Sequence, residues 1–248
     1  MGKAIAICSG KGGTGKTTTA AALAVCLAQR GRSVMVIDCD IGLRNLDLIL
    51  GVSDRALFDF ADVIDGRVSL VDGACIHPDV EGLRLLTAPF GKRASDIDFN
   101  KFKKLVEDIR RRYDYCILDA PAGIGAGFEL VVGCADEIIV VANPDVSSLR
   151  DGQRTACEAA ELSGARARLL INRLRPKLLR LGKKNVDRII DEISLQLVGI
   201  VSEDRNVILA GDRGVPLPLY RRARRRSAAQ FARIAGRIDG ERIPLGKI

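Results

Sequence analysis

Tryptophan is absent from these 248 residues, aromatic side chains make up only 4 %, and His77 is the single histidine. A core without tryptophan has to be filled by aliphatic side chains, and hydrophobic residues supply 47 % of the chain. One histidine, placed before Pro78, has no second imidazole with which to share a metal, so sites built on histidine pairs are excluded. The seven cysteines, at positions 8, 26, 39, 75, 116, 134 and 157, are odd in number and form no C-x-x-C pair. Most lie in apolar runs, so they read as buried free thiols of a reducing cytoplasm, with no disulfide and no zinc. No run approaches the roughly 20 apolar residues of a membrane-spanning helix. The chain opens at once on a strand, without a charged and apolar leader. The expected location is the cytoplasm, with any membrane contact peripheral.

Charge is what the chain has in excess. Lys and Arg outnumber Asp and Glu by 39 − 31 = 8. The isoelectric point is near 9.3. That balance suits phosphates, nucleic acid or anionic lipid and selects none of them.

Short β-branched runs alternate with longer helical patterns. Strands are expected over Ala4–Cys8, Ser33–Asp38, Leu83–Leu86, Tyr115–Asp119, Glu137–Ala142, Ala167–Asn172 and Leu197–Val201. Several, such as Val34-Met35-Val36-Ile37, are apolar without alternation, as in a parallel sheet covered on both faces. Helices are expected over Thr17–Gln29, Phe99–Arg112, Ser148–Leu162, Val186–Ile193 and Arg221–Ile238, and a surface loop over Arg173–Lys184. The rhythm predicts an α/β fold: a doubly wound, mostly parallel sheet flanked by helices, in three layers, as one domain over residues 1–240 with a short tail over 241–248.

The stretch Gly10-Lys11-Gly12-Gly13-Thr14-Gly15-Lys16-Thr17 completes G-x-x-x-x-G-K-[ST] between the first strand and the first helix. That context makes it a phosphate-binding loop of P-loop NTPase type. Its glycines let backbone N–H groups turn inward, and the following helix presents the positive end of its dipole. Lys16 is expected at the β and γ phosphates and the Thr17 hydroxyl on Mg²⁺, with Thr18 beside them. Three carboxylates follow strand ends, where doubly wound sheets bind ligands: Asp38, Asp40 and Asp119. Any one of them could instead cap a helix; all three together point to a magnesium–phosphate site.

These motifs resemble those of the MinD/ParA ATPases. The loop with its extra Lys11 is similar to the family's deviant Walker A motif. Asp38-Cys39-Asp40-Ile41-Gly42-Leu43-Arg44-Asn45-Leu46-Asp47 resembles switch I of the septum-site-determining branch. Leu118-Asp119-Ala120-Pro121-Ala122-Gly123-Ile124 is similar to Walker B with switch II, and Ala142–Asp151 matches a further stretch of that branch. The resemblance spans roughly residues 3–240. It implies an ATP hydrolase, with ATP and Mg²⁺ as ligands, activated when two subunits sandwich two ATP molecules. It also implies Lys11 acting across the dimer, Asp40 orienting the attacking water, Asp38 and Asp119 with Thr17 in the metal shell, and Asn45 and Gly123 at the dimer contact. By the same resemblance Asn172, Arg173, Glu203 and Asp204 hold the adenine. The implied partners are a second copy, a MinC-like division inhibitor, and a MinE-like activator or topological factor. An anionic membrane is the expected surface and DNA ranks below it. A ParA-type partition ATPase and a flagellar-number regulator stay open as alternatives.

The tail departs from the family pattern. Relatives end in an amphipathic helix, whereas Gly240, Pro244 and Gly246 oppose one here, so a reduced anchor is expected. The densest positive charge is Arg221-Arg222-Ala223-Arg224-Arg225-Arg226, read as a solvated face or as a contact for lipid headgroups or DNA.

Overall fold

The computed structural model describes residues 1–177 and 186–245. Eight strands form one sheet: β1 (Lys3–Cys8), β2 (Val34–Asp38), β3 (Cys75–Ile76), β4 (Leu83–Leu86), β5 (Tyr115–Asp119), β6 (Glu137–Ala142), β7 (Arg166–Leu174) and β8 (Gln196–Ser202). Their spatial order is β3-β4-β2-β5-β1-β6-β7-β8. Every neighbouring pair is parallel except β3 with β4.

The strand pattern explains the layers. Ile5, Ile7, Val34, Val36 and Ile117 point to one face, where they meet the helices Lys16–Ala28 and Ser227–Ile238. Their sequence neighbours Ala4, Ala6, Cys8, Met35, Ile37 and Leu118 point to the other, against Phe60, Phe102 and Phe128. Both faces are covered, so alternation in hydrophobicity has no reason to appear. Buried aromatics serve both faces, Tyr115, Tyr220 and Phe231 the first and Phe60, Phe102 and Phe128 the second, where the Phe60 and Phe102 rings pack edge to face at 5.3 Å.

Among the described residues no helix is long and apolar enough to cross a membrane. All seven cysteines are free, five of them buried; Cys75 is half-buried and Cys157 exposed. Burial pushes the Cys8 thiol up to about 12, with Lys16 lowering and Asp119 raising it in turn, so it is a packing group and not a nucleophile. His77 is buried; its Nδ1 accepts the Asp79 N–H (3.1 Å), which leaves Nε2–H to donate to the Leu50 carbonyl (3.0 Å).

Two expectations change. The strand read as Ala167–Asn172 runs on to Leu174, so the surface loop read over Arg173–Lys184 loses its first two residues, and Pro176 and Lys177 are helical; its residues 178–184 lie outside the described residues. The helix read over Arg221–Ile238 is broken. Arg221–Ala223 forms a 3₁₀ turn, the backbone departs from helix at Arg226 (φ −128°, ψ −117°), and the α-helix is Ser227–Ile238. Buried Tyr220, Ala223 and Ser227 set that path by packing, a tertiary demand that the helical period does not report. The tail is tied down through Pro244: Arg237 donates to the carbonyls of Ile243 (2.8 Å), Pro244 (2.7 Å) and Val198 (2.7 Å). Residues 246–248 lie outside the described residues.

Candidate active site

The loop from Ser9 to Gly15 leaves β1 at the carboxyl end of the sheet and feeds the helix Lys16–Ala28. Gly15 is the N-cap, at φ 97°, and a Cβ there would stand 2.4 Å from Asn172 Nδ2. Gly10 lies against the helix Val146–Ser163, where a Cβ would stand 2.5 Å from the Asp151 carbonyl oxygen. Side chains brace the loop from inside. Ser9 Oγ donates to the Lys11 carbonyl (2.8 Å), Thr14 Oγ1 donates to Ser9 Oγ (2.9 Å), and Asn172 Nδ2 donates to the Thr14 carbonyl (2.8 Å). The loop is therefore preorganised, and the helix start offers unsatisfied N–H groups to an anion.

Two adjoining clefts open there. One, of ≈ 430 Å³, is lined by Lys16, Thr17, Asp40, Asn45, Ala122 and Arg173, with the loop glycines 12, 13 and 15. The other, of ≈ 440 Å³, is lined by Thr18, Asn172, Arg173, Glu203, Asp204 and Phe231. Their common lining suits a phosphate lobe beside a base lobe. A further cavity of ≈ 500 Å³ lies at the opposite end of the sheet, beside Gly2, Arg32, Tyr113 and Asp239. Several of its charges are already paired, as in Arg32 with Asp239 (2.8 Å), and parallel sheets bind ligands at the other end.

The carboxylates explain why this end needs a cation. Asp38 and Asp119 are register partners on β2 and β5, and both are fully buried. Asp38 accepts the N–H groups of Asp40 (2.9 Å), Asn45 (3.1 Å) and Leu46 (3.1 Å), which fastens the segment 40–46 to the sheet. Burial still pushes its carboxyl up to about 6. Asp119 has no hydrogen bond of full geometry on either oxygen. Burial and then the Asp38 carboxylate push its proton affinity well above the usual range, and the Thr17 hydroxyl and Lys16 offset only part of this. Asp40, half-buried at the cleft edge, is raised by burial and relieved by Lys16.

An orphaned buried carboxylate beside a Thr hydroxyl at a phosphate loop fits Mg²⁺. Among the described residues no cluster of three or more His, Cys, Asp or Glu could hold a metal ion unaided. Magnesium in nucleotide sites takes one or two protein oxygens and relies on water and phosphates for the rest, so Thr17 and Asp119 fit it. Asp38, with its oxygens already used by backbone N–H groups, is placed to shape the segment around the metal.

Other expected residues line or border the two clefts, and several of their side chains hold partners within the chain. Asn172, expected on adenine, lines the base lobe while donating to Thr14 and accepting the Arg173 N–H (2.9 Å). Glu203 is gripped by Arg175 through both oxygens (2.6 and 3.0 Å). Asp204 is buried and accepts from Asn206 (3.0 Å from N, 2.8 Å from Nδ2) and from Ser227 (2.8 Å), so its carboxylate caps a turn. Asn45 and Gly123 lie near the mouth, Asn45 on the cleft wall and Gly123 at φ 85° with its N–H on the Ser9 carbonyl. Lys11 does not line the phosphate cleft: its Nζ donates to Asp145 (3.1 Å) and Ser147 (2.7 Å). Asp145 is the N-cap of the helix Val146–Ser163, and burial, opposed by the Ser148 N–H and by Lys11, leaves its carboxyl below the usual range. Sequence reasoning missed Asp145 and Ser147. Nothing local to the chain points across 134 positions to Lys11.

Comparison with known proteins identifies the family. Residues 5–217 match the model of the CobQ/CobB/MinD/ParA nucleotide binding domain. The septum site-determining protein MinD of Bacillus subtilis is 37 % identical over 248 residues, covering 99 % of this chain and 92 % of that protein. The MinD of Helicobacter pylori is 37 % identical over 251 residues, covering 98 % and 92 %. Among solved structures, the MinC:MinD cell division protein complex of Aquifex aeolicus superposes with a TM-score of 0.90 at 35 % identity, covering 99 % and 98 %. The Pyrococcus horikoshii MinD complexed with Mg-ADP superposes with a TM-score of 0.85 at 28 % identity, covering 97 % of each chain. The chain therefore belongs to the CobQ/CobB/MinD/ParA nucleotide-binding family, among its septum site-determining MinD proteins.

Proposed function

We propose that this protein is an ATP hydrolase whose site is completed by a second copy of itself, and that the ATP-bound dimer helps to place the division septum. The observation that carries the catalytic reading is the split between the two loop lysines. Lys16 lines the phosphate cleft beside Asp40 and Thr17, while Lys11 stands outside it on Asp145 and Ser147. A single chain thus has Lys16 and Arg173 on its cleft wall, while the second loop lysine, Lys11, is held outside it. A trans-acting lysine would stabilise the charge that develops on the transferred phosphoryl group, as an arginine finger does.

In this reading the loop N–H groups and Lys16 bind the phosphates, Thr17 and Asp119 hold the metal, and Asp38 keeps the segment 40–46 in place. Mg²⁺, when bound, neutralises phosphate charge. Asp40 sits at the cleft edge with a raised proton affinity, suited to orienting a water and sharing its proton. Asn45 and Gly123, at the mouth, meet the second copy. Asn172, Arg173, Glu203 and Asp204 shape the base lobe, Asn172 with one amide hydrogen still free for adenine. The biological role follows the relatives: recruitment of a MinC-like inhibitor, release by a MinE-like activator or topological factor, and reversible residence on the anionic inner face of the membrane.

Lys11→Ala is expected to keep ATP binding, to stay monomeric with ATP in sedimentation velocity, and to lose about 10³-fold in turnover. Wild-type turnover or dimerisation in that variant contradicts the reading.

A further inference from the structure

Between Gly10 and Gly15 only two residues of the phosphate loop carry side chains, Lys11 and Thr14. Lys11 reaches out to Asp145 and Ser147, whereas Thr14 is buried. The stretch that joins them is Gly12-Gly13, with Gly13 at φ 76° and Gly15, just past Thr14, at φ 97°. Glycine is the least restrained residue, so this backbone alone does not fix the direction in which Lys11 leaves the loop. Among the described residues no backbone–backbone hydrogen bond of full geometry involves Lys11. A side chain holds it instead: Ser9 Oγ donates to the Lys11 carbonyl (2.8 Å).

That tie continues to the base lobe. The Ser9 hydroxyl has one hydrogen, which it gives to Lys11, so in its bond with Thr14 Oγ1 (2.9 Å) Thr14 is the donor. The Thr14 carbonyl accepts from Asn172 Nδ2 (2.8 Å), and the Arg173 N–H on Asn172 Oδ1 (2.9 Å) fixes which way that amide faces. Three hydrogen bonds through the buried residues Asn172, Thr14 and Ser9 therefore join the base lobe to the Lys11 peptide and bypass Gly12-Gly13. Ser9 also accepts the Gly123 N–H on its own carbonyl (3.2 Å), so one residue holds both groups placed at the second copy. Packing does not explain the hydroxyl at position 14. A valine fills the same space, and a buried hydroxyl costs stability unless a partner is built for it.

We propose that Ser9 and Thr14 are positioning residues that couple occupancy of the base lobe to the placement of Lys11, so that the base is read in the rate of hydrolysis and not only in binding. The inference rests on Lys11 acting in the second subunit's site, as proposed above. Asn172 has one amide hydrogen on the Thr14 carbonyl and one for the base. A base seated on it fixes the amide, the amide fixes the Thr14 peptide, and the two hydroxyls carry that order to the Lys11 carbonyl. A contact remote from the reacting phosphoryl group is thereby used to orient the cation that meets it. Lys16 and Thr17, which hold the phosphates and the metal in the same reading, make none of these three bonds, so phosphate binding does not depend on the relay.

The experiment measures ATP dissociation constants and saturated single-turnover rates for the full chain and for its variants T14V, T14S, N172A, T14V/N172A, K11A and K11A/T14V. T14V is expected to lower the saturated rate about fivefold, the worth of one hydrogen bond, while the ATP dissociation constant stays within about twofold. T14S keeps the hydroxyl and restores the rate, which separates a lost bond from a lost fold. Members of one relay are not additive, so the rate of T14V/N172A stays within about twofold of the slower single variant. Without Lys11 there is nothing left to place, so T14V has no further effect in K11A. With K11A inactive, the relay alone is overturned by an unchanged rate in T14V, by a loss confined to ATP affinity, by T14S no faster than T14V, by multiplied losses in T14V/N172A, or by the same T14V loss in K11A. Wild-type turnover in K11A overturns the trans-acting lysine, and the relay with it.

Discussion

Lys11 cannot hold Asp145 and reach a second subunit's phosphates at the same time. The pair with Asp145 is exposed, so it is worth only a few tenths to about 1 kcal/mol. Asp145→Asn is therefore expected to lower the protein concentration needed for ATP-dependent dimerisation by up to about fivefold, read by sedimentation velocity. An unchanged dimerisation curve would show that the pair does not hold the lysine back. Asp119 carries the opposite kind of tension. Its buried, unpaired carboxylate costs stability until a cation arrives, so Asp119→Asn should stabilise the nucleotide-free protein by about 1–3 kcal/mol. In thermal melts that is about 2–4 °C per kcal/mol, accompanied by loss of magnesium-dependent nucleotide binding. At this scale the phosphate loop was readable because eight consecutive residues contain it. The partnerships of Lys11 with Asp145 and of Asn172 with Thr14 span 134 and 158 positions, and no local signal carries them.

Among the elements, strands of the central sheet were legible to within two residues at either end, because burial on both faces leaves an unbroken apolar run. The short helices Leu46–Leu50 and Phe60–Ile64 were not, since five residues are too few to display a 3.6-residue period. The two-residue edge strand β3 escaped for the same reason. Helix Leu46–Leu50 follows the segment fastened by Asp38, and its last carbonyl is held by His77. Burial holds the His77 imidazole below its ordinary value of 6.5, with the Leu50 hydrogen bond opposing this, so the unfolded chain takes up a proton more readily than the folded one. The sign is then fixed: the contribution is full above about pH 6.5 and is lost as the pH falls below it. Melts across that range should show an acid-side loss in the wild type that His77→Gln lacks; equal slopes in the two proteins would assign the acid sensitivity elsewhere.

The whole molecule separates its functions by position. The carboxyl end of the sheet gathers the phosphate loop, the paired strand-end carboxylates and the base lobe, whereas the opposite end holds matched ion pairs. Arg205 and Arg226, at the two ends of an arginine-rich stretch, line the base lobe. The fold class followed from the strand–helix rhythm. Completion of the site by a second copy was suggested by family resemblance, and the placement of Lys11 outside its own cleft supports it on physical grounds. The most direct test mixes two inactive proteins, Lys11→Ala and Asp40→Ala, and measures ATP turnover. In a mixed dimer the Lys11→Ala subunit keeps its own Asp40 and receives Lys11 from its partner, so one site is whole. An equal mixture should then recover up to about a quarter of wild-type turnover, while each variant alone stays near background. A mixture as inactive as its components would contradict a lysine supplied by the second subunit.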